Sequence, residues 1–155
     1  MRELDDIGFW KKRIDGETEI HKTVYVVAKV GWDRIEAYNK KIVQKETSGK
    51  ILDAGCGYGR MSEWVKDYTG IDFSPDFIAL AQKRYPDKKF VIGDLRKLPF
   101  KDREFDWAVC ISIKNMIQRY VGLEDWDLME KELKRVAKKV LILEYISDEY
   151  EVLCE

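Results

Sequence analysis

The chain has one histidine, His21, and three cysteines, Cys56, Cys110 and Cys154, with no C-x-x-C or other paired spacing. An odd cysteine number, with two of the three in apolar segments, argues against a disulfide framework and for a reduced, cytoplasmic setting. No metal site is expected. No apolar run approaches membrane-spanning length, and Arg2, Glu3, Asp5 and Asp6 interrupt the N-terminus where a signal peptide needs an apolar core. The sequence therefore reads as soluble. Charged residues are 37% of the chain, above the roughly 25% usual for globular proteins, yet they cancel to a net charge of -1. That balance does not indicate a strong general attraction to nucleic acid, and leaves nucleic acid open as a partner. Asparagine (Asn39, Asn115) and glutamine (Gln44, Gln82, Gln118) are scarce beside lysine and glutamate, a balance found in heat-adapted proteins. Internal repeats, low-complexity tracts and Pro/Ser-rich linkers are also missing, so 155 residues read as one domain.

Against these absences stands "ILDAGCGYGR", Ile51 to Arg60, with Gly55, Gly57 and Gly59 at every second position after an apolar run. Glycines allow positive φ and close approach of a ligand to the main chain. Ile51 and Leu52 read as a buried strand, and Met61, Trp64 and Val65 predict an amphipathic helix after the turn. A strand, glycine turn and helix would present free backbone N–H groups above the strand tip. Further strands are predicted to end at Asp72, to span Phe90 to Gly93, and to cover "EFDWAVCISI" and "VLILEYI". Ser74 and Pro75 predict a helix start. A second helix, from about Glu124 to Lys139, places Trp126, Met129, Leu133, Val136 and Ala137 on one face. The basic run from Lys131 to Lys139 reads as its solvated side. Alternating strands and helices imply an α/β fold with a doubly wound, mostly parallel sheet over 49–146, a helical extension over 1–48 and a tail over 147–155.

An acid about 20 positions beyond a strand-glycine-helix turn is shared by two kinds of nucleotide site. The dinucleotide fingerprint needs its last glycine at position 60, where this chain has Arg60. A nicotinamide dehydrogenase is thus a distant reading. The D-x-G-C-G-x-G pattern of Asp53 to Gly59, followed by Gly70-Ile71-Asp72, Gly93-Asp94-Leu95 and "LPFKDREFDWAVCISI", resembles the class I S-adenosylmethionine-dependent methyltransferases over about residues 49 to 145. The resemblance implies S-adenosyl-L-methionine as cofactor, held by Asp53, Ala54, Gly55, Cys56, Gly57, Gly59, Asp72, Phe73, Asp94, Leu95 and Ile111. In it Asp72 holds the ribose hydroxyls, while Asp94 and the Leu95 amide flank adenine. Asp53 either organises the turn or meets the ligand's amino end.

The cofactor would carry the activated methyl group, so the protein needs only to align acceptor, methyl and sulfur, exclude water and take a proton where required. The acceptor is expected above the fourth and fifth strands, walled by the N-terminal extension. A small molecule is favoured, with RNA or protein as variants. Lys114 and Asn115 either orient a polar acceptor or form an ordinary helix start facing water. His21 is either a proton acceptor or structural. Trp10, Arg13 and Trp32 either close over the ligand or pack in a core. A non-catalytic scaffold or regulatory partner is the alternative from another functional class. The fold's relatives continue past strand five, whereas this chain has about ten residues left. The tail is therefore predicted to turn near Ser147-Asp148 and cover the fifth strand, with a homodimer as the other way to protect that edge and the monomer left open.

Overall fold

The apolar strand before the glycine turn lies in the middle of a six-stranded sheet, as a computed structural model describing residues 29–114, 117–118, 121–146 and 149–154 shows. The strands are β1 (Lys50–Ala54), β2 (Asp67–Asp72), β3 (Lys89–Ile92), β4 (Phe105–Ile111), β5 (Ala137–Ile146) and β6 (Glu149–Cys154). Their order is β3-β2-β1-β4-β5-β6. All neighbours pair parallel except β5 and β6. The order reverses between β1 and β4, and in such sheets ligands bind at that switch, outside the carboxyl ends of the strands. The chain divides into two compact units, Met1–Ile42 and Val43–Glu155. The helix α1 (Lys29–Glu46) forms the described part of the first and runs four residues into the second.

The sheet is parallel because its strands are apolar on both faces. Leu141, Ile142 and Leu143 in β5, and Ala108, Val109 and Cys110 in β4, are all buried. The helix α2 (Pro75–Arg84) starts as expected: Ser74 Oγ accepts from the Phe77 amide at 3.3 Å and Pro75 occupies the first turn. It buries Phe77, Ile78 and Ala81. The helix α3 (Leu123–Val136) buries Trp126, Met129, Leu133 and Val136. Burying an aliphatic or Met side chain of this kind stabilises by about 1.5–3 kcal/mol.

Three expectations change. The stretch after the glycine turn is a single 3-10 turn, Arg60–Glu63, in place of an amphipathic helix. β2 begins at Asp67, so the connection has no room for helical turns after the glycines; Met61 is buried while Trp64 and Val65 are only half-buried. α3 stops at Val136, and Ala137 takes an extended conformation and opens β5 by pairing with Phe105. The basic run is exposed at Lys131, Lys134, Lys138 and Lys139, but Arg135 turns back. Its guanidinium donates to the Leu98 and Phe100 carbonyls at 3.0 and 2.8 Å, tying α3 to the loop before β4. The tail forms the expected antiparallel strand, with β6 pairing along Leu141 to Ile146. The connecting residues Ser147 and Asp148 lie outside the described residues.

Candidate cofactor site

Asp72 ends β2 one strand away from the glycine turn, with 6% of its surface exposed. Its Oδ1 accepts from the Ser74 amide and its Oδ2 from the Gly57 amide, both at 2.9 Å. Burial pushes its carboxyl up to about 6, against the lowering effect of the Ser74, Gly57 and Phe73 amides. Asp72 is therefore an acceptor held in one orientation at the mouth of the turn.

The glycines of that turn have separate reasons. A Cβ on Gly59, whose φ is 81°, would lie 2.7 Å from the Phe90 ring and 3.3 Å from the Ala81 Cβ, so this glycine packs the turn onto β3 and α2. A Cβ on Gly57, at φ 52°, would meet nothing within 4 Å. Gly57 is thus the position where the main chain faces open space. The sequence suggested free amides along the turn, but four are used inside the protein. Gly55 and Cys56 donate to the Ile71 carbonyl, Gly57 to Asp72 and Gly59 to the Cys56 carbonyl. The turn's backbone is accessible at Gly57, with these four amides spent on holding its shape.

Asp53 is 4% exposed and its Oδ2 accepts from the Tyr68 hydroxyl at 2.7 Å. Burial, then the Asp53 charge, pushes both the Tyr68 phenol and the Cys56 thiol well up. Asp53, Tyr68 and Cys56 form one buried group behind the turn, and Ala54 ends β1 buried beside Ile71. The Gly93 amide donates to the Asp72 carbonyl at 2.9 Å and brings the loop after β3 to the same end of the sheet. There Leu95 is buried, and its Cδ1 would lie 3.9 Å from a Cβ on Gly55. Asp94 is partly exposed and carries a fork from Arg96: Nε donates to both carboxylate oxygens, Nη2 to Oδ2.

After β4, buried Ile111 leads to Ser112, whose φ is 57°, a left-handed conformation costly for a non-glycine residue. The Ser112 amide donates to the Leu143 carbonyl at 2.7 Å, and Ile113 reaches within 2.7 Å of where a Gly55 Cβ would be. Lys114 is half-buried; its amide donates to Glu144 Oε1 at 2.7 Å and its Nζ lies 5.9 Å from the Trp126 ring centroid. Glu144, 3% exposed, was missed from sequence. Its signal was a lone carboxylate inside the apolar run "VLILEYI". Trp10, Arg13, His21 and Asn115 lie outside the described residues, as does the side chain of Trp32.

The structure thus gathers the glycine turn, Asp72, Phe73, Asp94, Leu95 and Ile111 at the carboxyl ends of β1 to β4. An open glycine beside an oriented buried carboxylate suits a ribose-bearing ligand laid across the turn. Among the described residues, no group of His, Cys, Asp or Glu could hold a metal ion. No described helix is long and apolar enough to cross a membrane.

A model of the methyltransferase domain matches residues 52–142. The phthiotriol/phenolphthiotriol dimycocerosates methyltransferase 1 of Mycobacterium ulcerans is 32% identical over 111 residues, covering 66% of this chain and 41% of that protein. The demethylmenaquinone methyltransferase of Thermotoga maritima is 32% identical over 100 residues, covering 60% of this chain and 42% of the relative. The chain therefore spans about two fifths of the length of these curated relatives. Among solved structures, Haemonchus contortus phosphoethanolamine N-methyltransferase 1, in complex with phosphoethanolamine and S-adenosylhomocysteine, shares the fold with a TM-score of 0.71 at 19% identity, covering 93% of this chain and 32% of that one. With the family model spanning more than half its length and the glycine turn, β2 acid and switch point in place, the chain belongs to the methyltransferase domain family, in its class I, S-adenosylmethionine-dependent form.

Proposed function

We propose that this chain transfers a methyl group from S-adenosylmethionine to a small-molecule acceptor bound above the tips of β4 and β5. The observation that carries the reading is the pairing of Gly57 with Asp72: the one turn glycine whose Cβ position is open donates its amide to the buried acid at the end of β2. In this reading Asp72 accepts from the ribose hydroxyls through its remaining lone pairs, and charge-assisted bonds of this kind are the strong ones. Asp94 and the Leu95 amide face adenine. Gly55, Gly57 and Gly59 shape the floor under the amino-acid part of the ligand, supported from below by Asp53, Ala54, Cys56 and Tyr68. When bound, the cofactor supplies a methyl group already activated on a sulfonium.

The chain's own contribution is orientation and exclusion of water. Ile111, Ser112 and Ile113 form the segment over the turn, fixed by the Ser112–Leu143 bond and by Glu144 on the Lys114 amide. The lipid and quinone acceptors in the names of the two curated relatives favour a small molecule over RNA or protein. His21, Lys114 and Asn115 remain the candidates for orienting it or taking its proton, and Trp10, Arg13 and Trp32 for closing over it.

Calorimetry with S-adenosylmethionine and S-adenosylhomocysteine, followed by transfer of a labelled methyl group to a panel of quinols, fatty acids and lipid phenols, tests the reading. Binding of both ligands with label in one acceptor class supports it. Binding without transfer to any acceptor, RNA and protein included, favours the scaffold role, and binding of NAD alone overturns the proposal.

A further inference from the structure

Arg96 is 11% exposed in its side chain and lies between two carboxylates from different parts of the fold. One is Asp94, two residues earlier on the loop after β3; the other is Asp125, in the first turn of α3, which accepts from Nη1 at 2.9 Å. Asp94 receives three N–H groups from Arg96: the backbone amide at 2.8 Å, Nε shared between both oxygens at 3.0 and 2.9 Å, and Nη2 at 2.6 Å. Because Nε is shared, the three donors make four contacts, two on each oxygen, on a side chain that is 38% exposed. A further donor on the exposed side would replace one arm of the shared Nε bond.

We infer that Arg96 is a positioning residue for adenine recognition, holding Asp94 in a single orientation so that its exposed acceptor position, shared with Nε, selects the exocyclic amine of the ligand. The inference rests on the reading of Asp94 as the adenine-facing acid. Burial alone would push the Asp94 carboxyl up, but the Arg96 side-chain and backbone bonds and its charge outweigh that and hold it below the ordinary value. A carboxylate fixed in this way loses little freedom when a ligand binds. It also accepts and cannot donate, so it discriminates an amine from a carbonyl at the same ring position. Asp125 matters because it holds the far end of the guanidinium. Without it, Arg96 would be a long side chain on a surface loop. Lysine would not reproduce the arrangement, since a single ammonium cannot span two oxygens and a second carboxylate in a fixed plane.

The test compares equilibrium binding of S-adenosylhomocysteine with that of S-inosylhomocysteine, in which a carbonyl oxygen replaces the exocyclic amine. The ratio of the two affinities is the readout, and thermal melting of each variant is followed alongside. The intact protein should prefer the amine. Arg96→Ala should reduce the preference about tenfold, the scale of a weakened bond to an ionised acceptor, mainly by weakening S-adenosylhomocysteine. Arg96→Lys should restore only part of it. Asp125→Asn, which keeps Arg96, should give a smaller loss in the same direction and serves if Arg96→Ala fails to fold. Asp94→Asn separates the two levels of the argument: if it leaves the ratio unchanged, the reading of Asp94 fails and the inference with it. If Asp94→Asn lowers the ratio while Arg96→Ala and Asp125→Asn do not, Asp94 stands and the role of Arg96 is overturned. Tighter S-adenosylhomocysteine binding in Arg96→Ala would also overturn it, because Arg96 would then be competing with adenine for the carboxylate.

Discussion

The Gly57 amide donates to Asp72 Oδ2 over 2.9 Å, joining the open position of the glycine turn to the buried acid of β2. The two residues stand 15 apart in sequence and act as one unit. In the proposed site, the ligand that hydrogen-bonds Asp72 lies against the face that Gly57 leaves clear.

A pH dependence follows from that burial. The Asp72 carboxyl titrates near about 6 in the folded protein, raised from 3.8. Hydroxyl donors favour the ionised form, so S-adenosylhomocysteine should bind more tightly as pH rises through about 6, with affinity changing up to about tenfold per unit below it. Folding responds with the opposite sign: the raised value stabilises the ligand-free protein below 3.8, and this contribution is lost as pH rises through about 6. Calorimetry at a series of pH values checks the first statement, and a pH-independent affinity between about pH 5 and 7.5 would contradict it.

Asp72→Ala should weaken the cofactor by about 1.5–3 kcal/mol, the scale of hydrogen bonds to a charged group. The melting temperature at neutral pH should not fall in proportion, because the ionised carboxylate is itself costly to bury. Affinity equal to that of the unmodified protein would remove Asp72 from the site.

The glycines should separate under substitution. Gly57→Ala meets no protein atom, so it should cost only about 1–2 kcal/mol for the left-handed backbone while sharply reducing cofactor affinity. Gly59→Ala drives a methyl group into the Phe90 ring, 2.7 Å away, and should lower stability more than Gly57→Ala does. Chemical denaturation and calorimetry on the two variants check this, and equal stability losses would contradict the assignment.

Tyr68→Phe removes the donor to the buried Asp53 carboxylate. Loss of one partner of a buried bond costs about 1–3 kcal/mol, and the turn should loosen with it. The expected outcome is a lower melting temperature with a modest fall in cofactor affinity. An unchanged melting temperature would mean that the bond contributes nothing to the turn's support.

Deleting Glu149 to Glu155 takes away the strand paired with Leu141 to Ile146. β5 then presents unpaired backbone groups along an apolar edge, which invites association with other chains. Light scattering should show aggregation or a new oligomer. A monodisperse truncated protein with the same oligomeric state and melting temperature would overturn the role given to β6.

The amino-acid sequence by itself determined the parts whose signals are local. Alternating apolar strands and amphipathic helices made the parallel sheet readable, Ser74 with Pro75 marked the start of α2, and the order of glycine turn, Asp72 and Asp94 pointed to the cofactor. Each depends on residues close along the chain, where spacing and backbone preference operate. Local periodicity failed at Met61, Trp64 and Val65, because the length left between the glycines and β2 permitted only a 3-10 turn. What tertiary structure alone decided was which partners the polar atoms find. The turn amides go to Ile71 and Asp72, Tyr68 meets Asp53, Arg96 joins Asp94 to Asp125, and Glu144 reaches Lys114. Most of these pairs come from strands or loops that meet only once the sheet has formed. Burial then makes each unpaired donor or acceptor costly, and so selects one arrangement.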